Sequence, residues 1–164
     1  MTDGLHIALA MIEGQNLLQL VDEFVELLVD GRETSDAGIE RLTPNAYPED
    51  DGAAAEFRGS TRRDMLDRRV ADALDVRSAL EPFDRDDVEP STPEALRAHD
   101  VDIAADDVDA WLRTLSAMRL VVASRLGIER ADTHDPGDTR FAVYDWLGYR
   151  LDQLVNLADG RDPR

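Results

Sequence analysis

The chain contains no cysteine and no lysine. The first absence excludes disulfides and thiolate metal sites. The second makes every base an arginine. Aromatic residues are only 5% of the 164 residues, so a core must be built mainly from Leu, Val, Ala and Ile. No apolar run approaches the roughly 20 residues of a membrane span. The N-terminus lacks the basic region of a signal peptide, and the expectation is a soluble cytoplasmic protein. Positive charge is scarce as well. There are 36 acids against 18 bases, a net charge of −18. A GC-rich genome explains this Asp-, Arg- and Ala-rich composition most simply, and a halophile's acidic shell is the second reading. In either case the overall field repels nucleic acid, although a local arginine patch can defeat that average.

A length of 164 residues with 43% hydrophobic residues suits one domain, 1–164. The chain is organised around the stretch from about Ala104 to Ile128. Val108, Trp111, Leu112, Leu115, Met118, Val122 and Leu126 recur at steps of three and four, one face of an α-helix. Acids open it, Arg125 suits its end, and Gly127 is a natural left-handed stop. Arg119 breaks the pattern, because it falls in step with Leu112 and Leu115 and so faces the core. A guanidinium there needs a carboxylate or carbonyl partner.

Three further long helices are predicted. The first spans about Glu13–Val29, with Leu17, Leu20, Val21, Phe24, Leu27 and Leu28 as its stripe. The second follows a short helix over 53–58 that Gly59 stops, and runs from Ser60 or Thr61 to about Leu80. Its apolar side is Leu66, Val70, Ala73, Leu74 and Leu80, with Arg77 near the middle of that stripe. The last spans about Phe141–Ala158, with Val143, Trp146, Leu147, Leu151, Leu154 and Ala158 inward. Residues 32–52 read as a connection rich in turn chemistry. Residues 81–100 read as a flexible acidic surface loop, with a turn of helix at Pro93–Ala98, and 159–164 as a flexible tail. Leu5–Met11 and Val101–Ile103 read as short extended segments. Sliding one segment and its helix onto the other pairs Leu9 with Ile103, Leu17 with Trp111, Val21 with Leu115 and Phe24 with Met118. Either two amphipathic helices resemble each other by chance, or the extended segments pair as a ribbon with their helices side by side. The fold class expected is all-α: an antiparallel bundle of four main helices, with one very short β pair as an option.

Motifs for chemistry are absent. His6, His99 and His134 lie in different regions and make no metal pattern, and no dinucleotide fingerprint, phosphate loop or nucleophile elbow occurs. No catalytic residue, cofactor or metal is expected, and the chain reads as no enzyme. Arg62, Arg63, Arg68 and Arg69 form the densest basic run. Asp64, Asp67, Asp72 and Asp75 interleave with it, mostly at ion-pair spacing, which favours a salt-laced surface helix over a DNA-reading one. The segment 41–58 gathers Tyr47, Asp50, Asp51, Glu56 and Arg58. It can fold over the bundle and neutralise Arg119 or Arg77, or it can leave a groove that receives a partner, since Tyr and Arg are favoured interface anchors.

The run Arg41-Leu42-x-Pro44-x-Ala46-Tyr47-Pro48-x-Asp50-Asp51, followed by Ala55-Glu56-Phe57-Arg58, resembles an actinobacterial family, the domain of unknown function numbered two thousand and seventeen. The block from Ala110-Trp111-Leu112 to Arg125-Leu126-Gly127 and the block Tyr144-Asp145-Trp146-Leu147 are similar to two further stretches of it. The resemblance spans nearly the whole chain. It implies a helical domain and supplies no activity. Members have been labelled transcriptional regulators, and their genes often lie beside that of the Clp-protease adaptor, so a proteolysis-linked role is implied too. The resulting expectation is a non-catalytic interaction or regulatory protein, linked to regulated proteolysis, with a protein partner bound near Tyr47, Asp50, Asp51, Glu56, Arg58 and Arg119. The alternative is a DNA-associated transcriptional regulator using the arginine-rich helix. No membrane is involved, and a homodimer is compatible with the sequence.

Overall fold

Two strands far apart in sequence form the only sheet among the described residues: β1 (Leu5–Ala10) and β2 (Ala98–Ile103). The computed structural model describes residues 4–31, 36–43, 52–128 and 137–160, with side chains from 59 onward in the third stretch. The strands pair antiparallel, from Leu5↔Ile103 to Ala10↔Ala98. Side chains alternate across the ribbon. Leu5, Ile7, Leu9, Val101 and Ile103 are buried, while His6, Ala8, Asp100 and Asp102 are exposed.

Each strand runs almost directly into a helix. The helix α1 (Met11–Asp30) buries Leu17, Leu18, Val21, Phe24 and Leu28. Its first turn is fixed by Met11 N–H, which donates to the Arg97 carbonyl at 3.0 Å, and by Glu13 Oε1, which accepts from Ala10 N–H at 3.1 Å. Gly14 is required here, because a Cβ would overlap the Phe83 ring packed on the helix backbone. Further along the chain come α2 (Ala37–Leu42), α3 (Gly52–Ala79), α4 (Val108–Leu126) and α5 (Ala142–Gly160). The α3 helix packs against α1 and α4, and α2 and α5 pack against α4. That makes α4 the centre, with Trp111, Leu115 and Met118 almost wholly buried. It ends where expected, at Gly127 with φ +75°.

Four main helices and a short strand pair are present, as the periodicity predicts. The two extended segments of the sequence echo do pair as a ribbon, but antiparallel, so Leu9 faces His99 and not Ile103. The helix positions that the slide matches, Leu17, Val21 and Phe24 with Trp111, Leu115 and Met118, are all buried. The helices do not lie flank to flank as that reading supposed, for α3 is the closer neighbour of each.

Other expectations need correction. Gly59 does not stop a short helix. One helix runs from Gly52 to Ala79 straight through it. A Cβ at Gly59 would meet nothing within 4 Å. Helical glycine costs only about 1 kcal/mol against alanine, which strong flanking helix can carry. The connection after α1 contains α2, capped by Asp36, whose Oδ1 accepts from Gly38 N–H at 2.8 Å and Ile39 N–H at 3.3 Å. Leu74 and Val143, assigned inward, are 46% and 41% exposed, while Tyr144 and Arg150 of α5 are buried. The acidic stretch 81–100 is more built than a surface loop. It holds 3-10 turns at Glu81–Phe83 and Pro93–Leu96 and buries Phe83, Val88 and Ala95. Arg85 pairs with Asp87 at 2.7 Å and Glu94 at 3.2 Å across it. The Gln15 side chain donates to the Arg85 carbonyl at 2.9 Å, tying the stretch to α1.

Candidate interaction face

The inward-leaning arginines are held by different parts of the fold. Arg77 on α3 reaches Asp22 of α1 at 2.6 Å and Asp84 at 3.7 Å, so among the described residues its neutralising acids come from α1 and the turn after α3. Arg150 on α5 donates to Glu13 Oε2 at 2.6 Å and to Gln153 at 2.9 Å, and Trp146 Nε1 shares that Glu13 oxygen at 2.7 Å. Burial by itself would raise the Glu13 carboxyl. The hydrogen bonds from Arg150, Trp146 and Ala10 N–H outweigh it and hold the group below its ordinary 4.5. A polar knot thus fastens α5 to the first turn of α1.

Arg119 lies half-buried against α5. Its guanidinium carbon is 3.9 Å from the Tyr144 ring centroid, and its Nε donates to the Tyr144 carbonyl at 3.3 Å. Gly148 makes this possible, since a Cβ there would come within 2.9 Å of Arg119 Nε. Arg41, at the end of α2, donates to the Ile128 carbonyl at 3.0 Å. Arg41, Arg119, Tyr144, Ser116 and Leu120 line a pocket of about 340 Å³. The α2 helix reaches this place because Asp36 also pairs with Arg125 of α4 at 3.0 Å, and because Gly38 allows the Val121 methyls close approach.

On the other side of Ser116 and Leu120 runs a larger trough between α3 and α4, about 800 Å³. Leu42, Met65, Leu112 and Ala117 give it an apolar floor, and Arg68, Arg69 and Arg113 stand along it. Asp72 takes Arg113 bidentately, at 2.8 and 3.1 Å. So Asp72 does not neutralise its own helix, as its spacing from Arg68 suggested, but crosses to α4. Arg69 is half-buried, and no hydrogen bond or ion pair joins it to any described residue.

Of the residues expected to bind a partner, Arg119 is placed at this face. Tyr47, Asp50 and Asp51 lie outside the described residues, as do the side chains of Glu56 and Arg58 on the first turns of α3. The four arginines of the DNA reading do not share one free face. Arg62 approaches Glu40 at 3.5 Å, Arg69 lines the trough, and the spacing of Arg63 and Arg68 turns them to different sides of α3. Arg113 and the trough itself were missed. The sequence signal for Arg113 is weak, because an arginine beside the apolar stripe of α4 looks like any solvated position.

No group of three or more potential metal-binding side chains occurs among the described residues, and no helix there is long and apolar enough to cross a membrane. What the fold and face define is a mostly helical domain, tied by one β-ribbon, with an arginine-lined groove on its central helix. The chain matches the family described as Domain of unknown function (DUF2017) over residues 1–158 and belongs to that family. No curated protein and no solved structure matches it.

Proposed function

We propose that this protein is a non-catalytic interaction or regulatory module that receives a segment of a partner protein on the α3/α4 face. The observation that carries the reading is the trough of about 800 Å³, apolar along its floor and arginine-lined at its side, continuing past Ser116 and Leu120 to Arg119. Interfaces favour this combination of apolar centre and arginine anchors. A link to regulated proteolysis is part of the proposal and rests on the family resemblance alone.

Ser116 offers the test. It is exposed and lines both cavities, so Ser116→Trp fills them without disturbing the core. Affinity capture from lysate should return a partner with the wild-type bait that is lost with Ser116→Trp. Identical recoveries from the two baits overturn the reading.

A further inference from the structure

We infer that the segment received in the trough is acidic, with a carboxylate side chain set between apolar residues, and that Arg69 is the group that takes the carboxylate. This rests on the function proposed above and adds the chemistry of the partner. In a chain with 36 acids and 18 bases, carboxylates are plentiful partners for arginine. Arg62, Arg77, Arg85, Arg113, Arg125, Arg140 and Arg150 each pair with one. Among the described residues Arg63, Arg68, Arg69 and Arg97 have no such pair; the other three are exposed, and Arg69 alone of them is drawn partway out of water, beside another guanidinium. The carboxylate nearest to serve it, Asp72, already gives both oxygens to Arg113. Among the described residues Arg69 is thus left without a paired carboxylate at the edge of an apolar floor.

The electrostatics agree. Burial pushes the Arg69 guanidinium below its usual value, the Arg113 charge pushes the same way, and Asp72 only partly opposes them. A carboxylate docked on Arg69 relieves that cost and forms a charge-assisted pair in a partly dehydrated place. The floor of Leu42, Met65 and Leu112 selects for apolar side chains beside it. The same electrostatics disfavour a polyanion. A net charge of −18 repels nucleic acid along its whole length, whereas a short segment with one or two acids meets mainly the local field, within a Debye length of about 8–10 Å.

The experiment uses the full chain as bait for a phage-displayed random heptapeptide library, with wild type, Arg69→Gln and Ser116→Trp in parallel. Wild type should enrich peptides carrying Asp or Glu beside Leu, Ile or Phe, and Ser116→Trp should not. A synthetic peptide of the enriched sequence should bind Arg69→Gln about tenfold or more weakly, the size expected for one charge-assisted contact. Its Asn- or Gln-substituted form should lose as much on wild type. Asp72→Asn leaves one more positive charge in the trough and should tighten binding, a result that loss of folding cannot imitate. Circular dichroism of each variant checks the fold. Acid-free enriched peptides, or equal affinity for Arg69→Gln, overturn the inference while leaving the interaction face standing. No enrichment on wild type also overturns it, and the Ser116→Trp capture then judges the function separately. Tighter binding of duplex DNA or inorganic phosphate than of any acidic peptide overturns it as well.

Discussion

Arg150 and Arg69 are both drawn partway into the molecule, and the fold treats them in opposite ways. Around Arg150, Glu13, Gln153 and the Trp146 ring converge, and the partners come from both ends of the chain. Only its Nε is left without a hydrogen bond. Around Arg69 the neighbouring carboxylate is committed elsewhere. The first arrangement is costly to break, because every group in it depends on the others. The second costs the fold something to keep. A cation neutralised from within builds structure, and one left short of charge is available to an outside anion.

The comparison can be broken most forcefully at Glu13. Glu13→Ala strands the Arg150 charge and orphans Trp146 Nε1, with an expected loss of about 3 kcal/mol, discounted from the fully buried case because Glu13 is partly exposed. Thermal unfolding should fall by about 6–12 °C. One residue away, Gly14→Ala drives a methyl into the Phe83 ring. Overpacking of this kind costs about 1–3 kcal/mol, which urea denaturation would register as a lower midpoint with an unchanged slope.

Acid should act next. Glu13 and Asp36 both have depressed carboxyl values in the folded state. For Asp36 the hydrogen bond from Arg125 leads, burial opposes it, and the Ile39 and Gly38 N–H groups add to the lowering. A depressed folded value means the stabilisation is present above the unfolded values, 4.5 and 3.8, and is lost as pH falls through the folded ones. Stability measured by denaturant at successive pH should therefore decline below about pH 4.5, and Glu13→Gln should flatten that decline. A decline of equal slope in the variant would remove Glu13 from the account. Smallest of all, Arg69→Met should change stability by no more than about 0.5 kcal/mol, with stabilisation the favoured sign. A large loss there would erase the contrast between the two arginines.

The parts of this architecture carried by apolar periodicity were legible in the sequence. Alternation marked the extended segments, steps of three and four marked four helices, and Gly127 marked where α4 ends. What periodicity cannot carry was missed. The six residues of α2 are too few to show a repeat, and their cap at Asp36 hides among turn formers. Arg150 falls in step with Trp146, Leu147 and Leu154 and interrupts that stripe as Arg119 does in α4, so its burial was legible, but its partner Glu13, at the other end of the chain, was not. Asp72 looks like an ion-pair partner for its own helix until α4 brings Arg113 closer. Gly59 reads as a stop when neighbours are ignored. At the candidate face, Arg119 stood out because it interrupts an apolar stripe, and Arg69 did not, because its peculiarity is a missing partner in three dimensions.

The ribbon joins Leu5 to Ile103, so the first strand made is among the last to be satisfied. During synthesis β1 emerges with its backbone edge open and must wait for the distant segment at Ala98–Ile103 to leave the ribosome. At ordinary elongation rates of 5–20 residues per second that wait is on the order of ten seconds. Until then Leu5, Ile7 and Leu9 are an unpaired apolar strand of the kind that recruits neighbours. A nascent chain cut or stalled ahead of Ala98 keeps that edge permanently, which makes the N-terminal half by itself a substrate for chaperones and proteases.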